Sequence, residues 1–388
     1  MRLRITKPTD IPDELLCALI MLSALIGNVS PMAGRLSNLA GIALAVIILL
    51  DCVTKERTRF VIWILFAGSL LLALLNVVFV GQDPLTKYIV TGITLFSVGL
   101  YFNLADTLDY RLWRNVYLAA AAFIMFIWSR SPNGYILFYN LGRNYVSVFL
   151  LSYMMPMQLA ADKNQINIPI GYYVLNVICS ISAVGRGGIV CTMLLLGMIL
   201  VHRLLINERL TIRQKARNIV FSLMLAEGGC IILAGFWSSI APKLFSRFIQ
   251  DNTISDNSRM TILIDYLKAV DTLPKLLLGT RSGDIEFLKL WEGNIHNSYL
   301  MTHASYGLIG AVILLFGIAA CIVMLLMNGH TELGLFLIAF SARSLIDTLF
   351  QAKPGDVTAW YCIIYTFTHL KIGHEFYITT GRREPYNG

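Results

Sequence analysis

Residues 60 to 80 read FVIWILFAGSLLLALLNVVFV, a run without one charged side chain. About 20 apolar residues suffice to cross the hydrocarbon core of a bilayer. Comparable runs recur along the whole chain, at roughly 13 to 29, 36 to 52, 60 to 80, 88 to 105, 115 to 129, 145 to 161, 167 to 184, 187 to 202, 219 to 240, 306 to 327, 332 to 350 and 357 to 372. Hydrophobic residues make up 56% of the 388 positions and charged residues only 14%, more apolar surface than a soluble core can hide. In lipid every backbone N–H and C=O has to find its partner within the segment, which selects helices. The expectation is an all-α integral membrane protein with about twelve transmembrane helices. The first run opens on Asp13 and Glu14 and shows no A-x-A-like cleavage site, so it reads as a span and not as a signal peptide.

Charge orients these spans. With the N-terminus inside, seventeen lysines and arginines fall in the inner segments, against Arg35, Lys87, Arg130, Arg143, Arg186 and Lys353 in the short outer loops. Basic residues favour the cytoplasmic side, so both termini are expected there. The net charge of +8 is thereby a mark of orientation, and nucleic acid is not expected as a partner. The chain then divides into nine helices over 1–240, a large extracytoplasmic loop over 241–297, and three further helices with a cytoplasmic tail over 298–388. Seven cysteines, Cys17, Cys52, Cys179, Cys191, Cys230, Cys321 and Cys362, lie singly in or beside apolar runs and read as small buried apolar residues.

Within the loop, DNSRMTILIDYLKAVDTLPK reads as an amphipathic helix. Asp256, Asn257 or Ser258 can cap it, Pro274 stops it, and Met260, Leu263, Ile264, Leu267 and Val270 form an apolar face for the membrane domain or lipid headgroups.

The chain has no DxD, HExxH, Walker A or GxSxG motif, the usual marks of metal-dependent sugar transfer, zinc proteolysis, ATP hydrolysis and serine hydrolysis. Arg186, in AVGRGGIV, has glycines beside it that allow a tight turn and close approach of a ligand. Its guanidinium suits phosphate oxygens, or it snorkels at the interface. Arg259 is either a second such contact or a solvated charge. His296, in GNIHNSYLMTHASYG, has a reference pKa near 6.5 that suits a general base. Asn294, Asn297 and Ser298 could fix its tautomer; a purely structural histidine is the alternative. His303 lies seven residues on, nearly the same helical face, without a carboxylate or cysteine to complete a metal set. Asp284 and Glu286 form an acidic pair in what reads as a solvated turn. Arg343 and Asp347, four apart in FSARSLIDTLF, share a helical face and either neutralise each other or meet a polar cavity. Glu227 has no evident partner.

Taken together, LGRNYVSVFL, GRGGIV, the loop segment NSRMTILIDYLKAV and HNSYLMTHASYGLIGAV resemble the O-antigen polymerase and ligase superfamily of bacterial surface-polysaccharide synthesis, over roughly residues 140 to 350. The resemblance implies a glycosyltransferase of the bacterial inner membrane that needs no metal or other cofactor. Its donor would be an undecaprenyl-diphosphate-linked oligosaccharide, and its acceptor a second lipid-linked repeat for a polymerase or lipid A-core for a ligase. A chain-length regulator is a conceivable partner. Arg186 and Arg259 would neutralise the diphosphate and His296 would take the acceptor proton. Arg143, Asn144, Asn297, Arg343 and Asp347 are the substrate-binding candidates. The polymerase is favoured over the ligase. A flippase or transporter would share the helices without needing the loop.

Overall fold

The computed structural model describes residues 11–54, 60–81, 85–130, 136–138, 141–206, 213, 255–289, 293–350 and 353–370. Helices lie on each expected apolar run except 219 to 240, which falls outside the described residues together with Glu227 and Cys230. In chain order they are α1 Ile11–Ile26, α2 Pro31–Thr54, α3 Phe60–Val80, α4 Leu85–Leu104, α5 Tyr110–Ser129, α6 Tyr145–Lys163, α7 Ile170–Ser182 and α8 Arg186–Val201. Beyond the undescribed stretch come α9 Ser255–Ala269, α10 Leu273–Leu278, α11 Ser298–Met327, α12 Thr331–Ile346 and α13 Gly355–His369. Among the described residues, five helical segments are long and apolar enough to cross a membrane: Pro31–Val53, Phe60–Val80, Tyr110–Ser129, Arg186–Leu204 and Ser298–Met327. Large apolar side chains stand bare on them, such as Phe60 at 77% and Phe79 at 70% exposure. Exposure on that scale, on helices of this length and composition, is what a lipid environment accommodates. The fold is that of a helical membrane protein. An element the sequence did not announce is a short antiparallel pairing of β1, Ile136–Phe138, with β2, Leu141–Gly142.

α6 lies at the centre, with every residue from Tyr145 to Ala161 buried, as a helix apolar all round requires. α5, α7, α12 and α13 pack on it. At its far end two ion pairs join helix ends: Asp162 to His330 at 2.8 Å, and Arg203 to Glu332 through two bonds of 2.6 Å. Arg203, expected in a cytoplasmic loop, is instead 5% exposed. Glu14, read above only as a negative mark against a signal peptide, is buried and accepts hydrogen bonds from the Trp113 indole and the Asp109 amide, both 2.7 Å. The described cysteines are buried.

α11 is two helices joined at Gly307, whose φ of 67° and ψ of −170° form a combination that only glycine enters readily. The expected apolar span began at 306; the residues before the break form a separate helical stub. α10 crosses at the break so closely that a Cβ on Gly307 would lie 1.9 Å from the Leu277 carbonyl oxygen. Asn76 of α3 donates from its amide to the Leu278 oxygen at 2.5 Å and to the Ala304 oxygen at 2.8 Å.

The loop departs from expectation at its ends and gains detail between them. α9 already stops at Ala269, and Pro274 instead lies in the first turn of α10, where its missing N–H costs nothing. The protein-facing side of α9 is Ile262 and Tyr266, while Met260, Ile264 and Leu267 are exposed. The reason is His303: its Nε2 donates to the Leu276 oxygen at 2.9 Å, which leaves Nδ1 to accept from the Tyr266 hydroxyl at 2.6 Å. Burial pushes the Tyr266 phenol well above its ordinary pKa, so it remains a donor. Finally, His296 does not share a helical face with His303, because it precedes α11 in a turn with φ of 53°.

Candidate functional site

α6, α8 and α11 begin, and α12 ends, at one end of the bundle. They meet because Gly187 and Gly188 have no side chains to keep them apart. A Cβ on Gly188 would lie 2.4 Å from Ser147 Oγ of α6, and one on Gly187 would touch Ile346 and Arg343 of α12. The sequence reading gave these glycines to a ligand; their close approach is to neighbouring helices.

Arg343 ties the junction. Only 1% exposed, it donates through Nε to Ser147 Oγ at 3.2 Å and through Nη2 to the Asn144 carbonyl at 2.9 Å and Asp347 Oδ2 at 3.1 Å. Its Nη1 has no hydrogen-bond partner among the described residues and faces the start of α8, 3.6 Å from where a Gly187 Cβ would sit. The two expected charges therefore do pair. Asp347 is also 1% exposed, and its other oxygen accepts from the Thr348 amide at 3.1 Å and lies 3.5 Å from His296 Nδ1. Asp347 is as buried as Arg343 and presents the carboxylate nearest to His296 Nδ1.

The turn carrying His296 is built from asparagines. Asn294 Oδ1 accepts from the His296 amide at 2.9 Å and from the Thr348 hydroxyl at 2.7 Å. Asn297 caps α11, its Oδ1 accepting from the Tyr299 and Leu300 amides at 3.0 Å each, while its Nδ2 donates to the Leu345 oxygen. That side chain is committed to the cap, so the expected substrate contact at Asn297 gives way to a structural one. Ser298 donates to the Asp347 carbonyl and accepts from the Leu349 amide, both 2.7 Å.

Arg186 opens α8 and is half-buried beside this junction. Arg143 and Asn144 form the turn before α6; the Asn144 side chain lies against Gly185 and its carbonyl holds Arg343. Arg259 falls in the first turn of α9, where only the backbone is described. Asp284 and Glu286 stand elsewhere, on a cavity of about 740 Å³ shared with Lys268, Lys275 and Arg281. Sequence reasoning missed Lys353 and Tyr145. Lys353 counted only as a loop charge, yet its Nζ donates to the Tyr145 hydroxyl at 2.6 Å beside Asn294.

Basic side chains outnumber carboxylates here among the described residues: Arg343 pairs with Asp347, Lys353 is committed to Tyr145 and Thr348 with Asp356 on its amide, and Arg186 and Arg143 stand at the starts of α8 and α6, where the positive dipole ends of α6, α8 and α11 meet the negative end of α12. Beside it, an apolar cavity of about 370 Å³ opens between α3, α4, α11 and α13, with Thr302 and Phe350 among its lining residues. Phe350 directly follows Leu349, the residue bonded to Ser298.

A helical membrane protein with a cationic polar site at the mouths of its helices is the class these features define. No protein-family model matches the chain, and no curated protein matches it in sequence.

Proposed function

We propose that the chain is a polymerase of lipid-linked polysaccharide repeat units. It would sit in the bacterial inner membrane with about twelve spans and with this site on the extracytoplasmic side. The observation that carries the reading is the convergence of His296, the Arg343–Asp347 pair and Arg186 on three helix N-termini beside an apolar cavity. A base, a fixed cationic cradle and a hydrocarbon slot are what transfer from a polyprenyl diphosphate needs.

In the reaction proposed, an acceptor hydroxyl attacks the anomeric carbon, the bond to the diphosphate oxygen breaks, and the configuration inverts. His296 takes the hydroxyl proton on Nε2, since Nδ1 faces Asp347. Arg186, the first-turn amides of α8 and Arg343 Nη1 stabilise the charge that grows on the departing diphosphate. Charge stabilisation of this kind is the largest contribution available to a group transfer with a good leaving group.

The test is chain extension on purified lipid-linked repeat units with chelator present. His296→Gln should lose about a hundred-fold in rate. Arg186→Lys, which keeps the charge and loses the planar fork, should be impaired about ten-fold. Full activity of both variants would remove the reading, and transfer to lipid A-core alone would make the chain a ligase.

A further inference from the structure

The loop between α12 and α13 brings a lysine into the site. Lys353 Nζ lies 4.1 Å from the centroid of the Tyr145 ring, donates to the Tyr145 hydroxyl at 2.6 Å and to the Thr348 carbonyl at 3.0 Å. The cation and the carbonyl belong to the α12–α13 loop and the ring to the start of α6, so the ammonium fixes the start of α6 against that loop.

The connection continues to His296. Asn294 Oδ1 already accepts from the His296 amide and the Thr348 hydroxyl. Because an amide N–H can only donate, the carboxamide orientation is settled, and Nδ2 is turned to the Tyr145 hydroxyl at 3.3 Å. The Tyr145 oxygen thus takes one bond from Lys353 and one from Asn294. Asn294 in turn holds His296 at φ 53°, a conformation that side-chain-bearing residues rarely adopt. The ring's aim at Asp347, 3.5 Å away, is set by that turn.

We infer that Lys353, acting through Tyr145 and Asn294, is a positioning residue for His296. Removing the ammonium leaves the phenol without its charged donor and loosens the grip of Asn294 on the turn. Loss of Lys353 should therefore misplace the base without emptying the cationic cradle at Arg186. The kinetic part of the inference rests on the transfer reaction proposed above; the geometric part does not.

The experiment uses full-length protein with Lys353→Met, Lys353→Arg, Tyr145→Phe and the double variant Lys353→Met/Tyr145→Phe. Two readouts are taken: the rate of carbethoxylation of His296 by diethyl pyrocarbonate, followed by peptide mass spectrometry, and the kinetics of chain extension. Lys353→Met and Tyr145→Phe should each change the His296 modification rate by about three-fold and lower kcat about ten-fold. KM for the lipid-linked donor should stay within about two-fold. The double variant should be no worse than either single one, since neighbours on one path do not add. Lys353→Arg should recover most of the loss. Tyr145→Phe keeps the ring under the ammonium and decides the matter if Lys353→Met does not fold. Unchanged modification and kcat in a folded Lys353→Met protein would overturn the inference, as would effects that multiply in the double variant. Wild-type protein that transfers nothing, while the modification pattern holds, removes the proposed reaction and keeps the positioning network.

Discussion

Arg343→Met is the substitution with the largest expected cost. The side chain is 1% exposed and its guanidinium holds three bonds, two to the start of α6 at Ser147 and Asn144 and one to Asp347 at the end of α12. Methionine fills much of the same volume, so lost packing is small. What remains is the Asp347 carboxylate, also 1% exposed, with its nearest cation gone. Breaking a buried pair from one side typically costs about 3–5 kcal/mol, most of it the uncompensated charge. The same logic predicts a rescue. Asp347→Asn removes that charge, so the double variant Arg343→Met/Asp347→Asn should be more stable than Arg343→Met alone by about 2 kcal/mol or more. Thermal unfolding of purified protein, followed by the loss of the monodisperse fraction, measures all four corners of the cycle. A single Arg343→Met variant within about 1 kcal/mol of wild type, or a double variant worse than the single, would refute the assignment of Arg343 as the counter-charge of Asp347.

Three further outcomes follow from the fold. Gly307→Ala forces a Cβ to within 1.9 Å of the Leu277 oxygen at a backbone conformation reserved for glycine; it should cost about 3 kcal/mol or more and expose 273–280 to hydrogen exchange. His303→Phe removes both bonds that hold α9 and α10 on α11, so exchange at 262–278 should quicken about ten-fold or more while the long part of α11 stays protected. On the topology proposed, a cysteine placed at position 284 reacts with an impermeant maleimide from outside intact cells; labelling only after the cytoplasmic side is opened would reverse the orientation.

How much of this could be read in the chain depends on the range of the interaction. The helices follow from local apolar runs, and the Arg343–Asp347 pair follows from a spacing of four, both of which are visible in a short window. The contact of Asp347 with His296 spans 51 positions and depends on the extended segment 347–349 stitched by Ser298, which no periodicity marks. Glycines at 187 and 188 announce close approach but not what approaches, and Ser147 and Arg343 supply the answer. The inward side of α9 has no local signal, because apolar residues occur all round that helix; a polar tip, the Tyr266 hydroxyl reaching His303, decides which side turns inward and leaves Met260, Ile264 and Leu267 on the outer face. Lys353 was visible only as a charge in a loop, since its partner Tyr145 begins a helix 208 residues earlier.

Gly307 divides α11 mechanically as well as geometrically. The stub before it is gripped by α10, by Asn76 and, through its own His303, by Tyr266 and the Leu276 oxygen, and its first residue, Ser298, is bonded to the backbone on both sides of Thr348. A displacement of the segment 262–280 is therefore expected to reach the extended segment Asp347–Leu349, and with it the spacing of His296 and Asp347, before it reaches the long part of α11 beyond the hinge at residue 307.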